Sequence, residues 1–171
     1  KYLNKVLDIL ELNYDLPYVL SQLSFYYFLQ GETREGLTLL NSYIKDIINI
    51  PSSPRYLANF YNRLAILNAV DGDIENALHF YDLASDYAKR SNDKLILYRI
   101  INNSGDLERY LYGPKTSIRY NLEAYEMAKD FPKDFIVVSL SNLINSKVQF
   151  CRSTEIEAML KELEELLKDV N

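Results

Sequence analysis

At 171 residues the chain is long enough for a domain with a substantial core, and 48% hydrophobic residues argue against disorder. Five glycines and five prolines are too few for an all-β chain rich in tight turns. A net charge of -5 disfavours nucleic acid and anionic membrane surfaces as ligands, because both need a basic face.

The acid excess is partly local: residues 153–171 hold six acidic side chains and two lysines. The lone cysteine, Cys151, excludes an intrachain disulfide and a cysteine-based zinc site, and fits a reducing, cytoplasmic setting. No signal peptide and no apolar run of membrane-spanning length is seen. The first residues, KYLNKVLDIL, lack a starting Met and read as the beginning of an excised fragment.

Helical periodicity predicts about nine helices. A leading helix over Tyr2–Leu12 reads as the second half of a truncated repeat. Four hairpins follow: Leu16–Gln30 with Thr33–Ile48, Pro54–Val70 with Asp73–Ser91, Asp93–Leu111 with Lys115–Lys129, and Asp134–Cys151 with Thr154–Asp169. The segment Ile50–Pro54 is the clearest break between hairpins, since each proline restricts the residue before it. In the turn Asp71-Gly72-Asp73, glycine permits the positive φ of a helix C-cap and Asp73 can cap the next helix. From Ile74 to Ala88, apolar and small residues recur on one wide stripe. Thr154 and Glu157 have capping-box spacing at the start of the last helix. That helix carries Ile156, Met159, Leu160, Leu163, Leu166, Leu167 and Val170, which either close the stack or offer a strip to a further repeat or a second chain.

The hairpins repeat. Gly31 and Gly72 stand at the same place in successive copies, as do Ala84 and Ala124, and Ala88 and Ala128. Tyr61, Leu64, Ala65, Gly72, Asp73, Ala77, Tyr81 and Ala84 together resemble a tetratricopeptide repeat. The first copy keeps Leu23, Ser24, Tyr27, Gly31 and Gly36, but has Tyr43 where a small residue is usual. The third keeps Gly105, Ala124 and Ala128, and the fourth keeps Ser146 and Ala158. The copies recur at a period of roughly 40 residues, against about 34 residues in the usual repeat, so they are long ones. They are similar to those of kinesin light chains and of bacterial regulators that sense peptide pheromones. The resemblance implies an all-α, right-handed α-solenoid of antiparallel hairpins, one domain over 1–171. It also implies that the first helix of each hairpin lines a concave groove.

Carried over by position, the resemblance offers Tyr18, Ser21, Gln22 and Phe25 from the first copy. The second offers Asn59, Asn62, Arg63 and Ile66. The third offers Arg99, Asn102, Asn103, Asp106 and Arg109, and the fourth offers Lys147. Asn62 and Asn102 occupy the same place in adjacent copies. An amide both donates and accepts, so a ladder of amides can hold peptide backbone without reading its sequence. Arg63, Arg99 and Arg109 can pair with carboxylates, and Tyr18, Phe25 and Tyr110 can give apolar contact. Equally, the polar run from Arg99 to Asp106 can face solvent or bond within the repeats.

The expected partner is therefore a protein or peptide, with a homodimer through the terminal helices as a further association. No cofactor, metal site or catalytic set is expected. His79 is expected at a surface or hairpin edge, Cys151 in a core, and Glu162, Glu164 and Glu165 on a solvated face. The competing readings are a structural or oligomerisation module, and a sensory segment of a bacterial transcription regulator or cyclase.

Overall fold

The computed structural model describes residues 16–49 and 51–168. Among them are eight helices and no strand. They are α1 (Leu16–Leu29), α2 (Thr33–Asn49), α3 (Pro54–Asp71), α4 (Ile74–Ser91), α5 (Lys94–Tyr112), α6 (Pro114–Ala128), α7 (Lys133–Lys147) and α8 (Ser153–Lys168). The expected leading helix Tyr2–Leu12, and Asp169 and Val170, lie outside the described residues.

The hairpin turns are as short as the sequence implies. Gly72 ends α3 at φ 90°, a left-handed conformation that costs a side-chain-bearing residue free energy. The amide N–H groups of Gly72 and Asp73 then close onto the carbonyls of Ala69 and Asn68. Asp73 caps α4 by accepting from the Asn76 amide at 3.2 Å. Asp93 does the same for α5, accepting from Leu95 and Ile96. It also holds Arg55 at 3.1 Å.

The fold divides into two compact units, with the boundary between Ile96 and Leu97 inside α5. In the first unit, α1 packs on α2 and α3, α2 on α3, and α3 on α4. Leu20, Leu40, Ile47, Phe60, Leu64 and Leu67 fill its core. The Tyr61 ring packs against Phe60, Phe80 and Tyr87, with centroids 5.5, 6.1 and 5.5 Å away. Close approach of α1 and α2 needs Gly36. A Cβ there would stand 3.2 Å from the Ser24 carbonyl and 3.3 Å from Tyr27 Cβ.

The second unit packs α6 on α7 and α7 on α8. Its core is more polar. Ser117 and Ser146 hydroxyls meet at 2.8 Å, and the buried Asn121 amide donates to Ser146 Oγ at 2.5 Å. Here Gly105 makes room: a Cβ would lie 3.0 Å from Tyr120 Cβ and 3.1 Å from Asn121 Oδ1. At the C-terminal end Leu140, Ile144 and Ile156 form a cluster, with Met159, Leu163 and Leu166 of α8 against it.

The repeat is visible in burial. Ser24, Ala65, Gly105 and Ser146 come once per copy, and all are buried small residues on the first helix of a hairpin. Gly36, Ala77 and Ser117 are their buried counterparts on the second helices.

Three local expectations need correction. α7 ends at Lys147, not Cys151, and the next residues turn on the Lys147 carbonyl, which accepts from Phe150 and Cys151. Val148, Gln149 and Phe150 are exposed, so no packing holds them in a helix. Cys151 is accordingly half-buried in that bend, against the Leu140 cluster, rather than on a helix. Thr154 lies inside α8, because Arg152 already accepts the first helical bond, from the Ile156 amide. The capping-box spacing of Thr154 and Glu157 is out of register with the helix start.

Candidate functional site

In the first unit the candidate face belongs to α1 and α3. On α1, Tyr18, Gln22 and Phe25 are exposed. Ser21 is not on this face. It is buried, and its hydroxyl donates to the Tyr18 carbonyl at 2.7 Å, because the α1 turn carrying Ser21 and Ser24 points into the core. The Tyr18 ring lies 5.4 Å from that of Tyr56 on α3.

Farther along the same pair of helices, the Arg63 guanidinium sits over the Phe25 ring, 4.3 Å from its centroid. Arg63 Nε is buried without a hydrogen-bond partner. Burial pulls the group below the ordinary arginine range, and the Tyr81 phenol opposes that shift. Arginine stays charged at neutral pH even so, which leaves a partly desolvated cation on this face. Asn59, Asn62 and Ile66 are half-buried on α3. The Asn59 amide donates to its own helix, to the Arg55 carbonyl, at 3.1 Å.

In the second unit the face belongs to α5 and α7. Asn102 and Asn142 meet across these helices: Asn142 Nδ2 donates to Asn102 Oδ1 at 3.5 Å, the long end of hydrogen-bond range. Asn102 Nδ2 donates to the Tyr98 carbonyl at 3.3 Å. Two amides of equivalent position thus bond each other, as one of the sequence readings allowed. Asn103 is half-buried and Arg99 is exposed. Asp106 and Arg109 are exposed and pair with each other at 3.3 Å. Such a surface pair contributes little to stability and opens readily for a ligand. Lys147 is held by Glu155 at 2.5 Å, and that lysine lowers the Glu155 pKa.

Beside the amide pair, Tyr98, Asp134, Phe135 and Val138 line a cavity of about 410 Å³. None of these four was among the expected site residues. The fourth copy gives little register by residue type, yet one signal existed: Asn142 follows Asn102 at the same interval as Asn102 follows Asn62. Extending that step places α7 beside α5.

His79 is exposed, tilted against Phe80 at 5.4 Å. Glu162, Glu164 and Glu165 are exposed as expected, although Glu162 also accepts from the Tyr125 hydroxyl. Among the described residues no group of three or more His, Cys, Asp or Glu is placed to hold a metal. No helix among them is long and apolar enough to cross a membrane.

No protein-family model matches the chain, and no curated protein matches it. Among solved structures, the crystal structure of BtubC (BKLC) from P. vanneervenii is similar, with a TM-score of 0.80 at 16% sequence identity. The match covers 91% of this chain and 65% of that one, so this chain spans about two thirds of that protein's length. Likeness at this identity concerns the fold. With the helix order and the recurring buried small residues, it makes the chain an all-α helical-repeat protein.

Proposed function

We propose that this chain is a tetratricopeptide-type module that holds a protein segment on the exposed faces of its first helices, as part of a larger signalling or scaffold protein. The observation that carries this reading is Arg63. Its guanidinium is stacked on Phe25, is partly desolvated, and makes no ion pair among the described residues. A cation so placed costs stability unless an anion completes it, and a carboxylate of a bound segment does so with charge-assisted hydrogen bonds. Tyr18, Gln22 and Phe25 flank it with aromatic and amide contact. Preformed helices keep the ordering cost of binding low.

The test is a selection of linear peptides displayed on phage against the intact chain. Selected peptides are expected to be rich in Asp, Glu or free C-terminal carboxylate, and to lose binding to an Arg63→Gln variant of unchanged melting. Peptides that bind Arg63→Gln as well as the parent, or a selection that yields none, would refute the reading.

A second reading has its own observation. On α8, Leu160 and Leu167 are exposed although their neighbours Leu163 and Leu166 pack on the core. Self-association through this helix predicts a dimer by light scattering that Leu167→Glu dissolves.

A further inference from the structure

We propose that the cavity between α5 and α7 is a site for an arginine side chain of a protein segment held on the second unit. The assignment deepens the peptide-holding reading and rests on it. The cavity is apolar on three of its residues and acidic on one. Tyr98 contributes its ring, because its hydroxyl is already engaged, 2.8 Å from Ser139 Oγ and 3.4 Å from the Phe135 carbonyl. Phe135 stands edge-on to Tyr98 at 5.4 Å and is itself buttressed by Phe131 at 5.4 Å. Val138, on the same side of α7, is 53% exposed, a large apolar residue left open to water beside an aromatic pair.

Asp134 supplies the charge. It is exposed, and makes no ion pair among the described residues. Asp134 and Val138 are one helical turn apart on α7, so they sit one above the other on a single helix face.

An apolar side chain in this cavity would bury surface against Phe135 and Val138 but strip water from Asp134 without replacing it. An acidic one would be repelled. A long basic side chain satisfies both parts, with its methylene stem on the apolar walls and its head at the carboxylate. Between the two basic residues, arginine fits better. Its guanidinium is planar, weakly hydrated, stacks on aromatic faces and matches a carboxylate in a two-pronged geometry.

The experiment is a ¹⁵N-correlation NMR titration of the intact chain with N-acetyl-arginine amide. The comparators are the lysine, citrulline and norleucine analogues. The arginine compound is expected to shift the amides around Tyr98 and from Asp134 to Val138, saturating with a dissociation constant on the order of 1–10 mM. Citrulline, which keeps the shape without the charge, is expected to bind several-fold more weakly. Asp134→Asn should weaken arginine binding about three- to fivefold, as loss of an exposed ion pair does. Phe135→Leu should weaken it with helicity retained. Equal binding of norleucine, citrulline or lysine overturns the assignment, as does an Asp134→Asn variant that binds unchanged, or no saturable shift at these residues. The groove reading fails separately: acidic-peptide binding that depends on Arg63 is expected to survive Asp134→Asn.

Discussion

Replacing Asn121 by leucine should stabilise the protein, although it removes a buried hydrogen-bonding group. The Asn121 amide nitrogen makes one short bond, 2.5 Å to Ser146 Oγ, and two long ones, 3.3 Å each to Ser117 Oγ and the Asn142 carbonyl. None of these acceptors is orphaned by its loss. The two serine hydroxyls still meet at 2.8 Å, and Ser146 still donates to Asn142 at 3.0 Å. Loss of the short bond costs about 1 kcal/mol net. Against this, Asn121 Oδ1 is buried with no hydrogen-bond partner, a burden of about 1–3 kcal/mol that leucine removes. Burying a leucine side chain adds about 2 kcal/mol. Strain from the bulkier tetrahedral end subtracts about 1–3 kcal/mol, because the Asn121 side chain already packs closely on Gly105, with Oδ1 3.1 Å from where a Cβ would lie. The balance is a gain of about 1 kcal/mol, or a melting rise of about 2–4 °C for a chain of this size by calorimetry. The repeat supports the sign, since Tyr81 and Leu40, which hold the same position one copy and two copies earlier, are buried. Asn121→Ala, which loses the bonds and leaves a cavity, should melt lower than the parent. A lower melting temperature for Asn121→Leu would refute the reasoning and show that the polar seam is worth more than its orphaned oxygen costs.

Gly72→Ala should destabilise by about 1 kcal/mol, because φ is +90° there, whereas Gly72→Asn should cost less; urea titration measures both. Phe60→Ala, at a fully buried ring, should cost about 3–5 kcal/mol in the same assay. Alkaline pH should destabilise the fold through two tyrosines. Burial raises Tyr125, helped by its hydrogen bond to Glu162, and burial with Tyr87 nearby raises Tyr61. Because the folded values lie above the ordinary 10.0, the unfolded chain ionises first. Their contribution is intact below about pH 10 and is lost as pH rises further. Tyr125→Phe should therefore lessen the fall in melting temperature above about pH 10. An unchanged alkaline slope would count against the Tyr125–Glu162 bond.

Hairpins, their turns and their spacing were legible in the residues, because these are set locally or by a short repeat. Gly72 and Asp73 declare a left-handed cap and its successor, and small residues recurring once per copy mark where helices must approach closely. The expected exposure of Tyr18, Gln22 and Phe25 follows from the same register. Ser21 was misplaced because a serine one position from the stripe is compatible with either side of α1, and only core packing chose the inside. The end of α7 was misplaced because Phe150 counts as apolar in any periodic pattern, while its exposure depends on what the fold brings against it. The amide pair and the cavity depend on side chains a full repeat apart in sequence meeting across two helices. Composition and periodicity determine that this chain is a stack of helical hairpins. The stacking of Arg63 on Phe25, the bonding of Asn102 to Asn142, and the opening of a cavity at Asp134 were decided by tertiary packing, since each depends on distances between helices that no local preference sets.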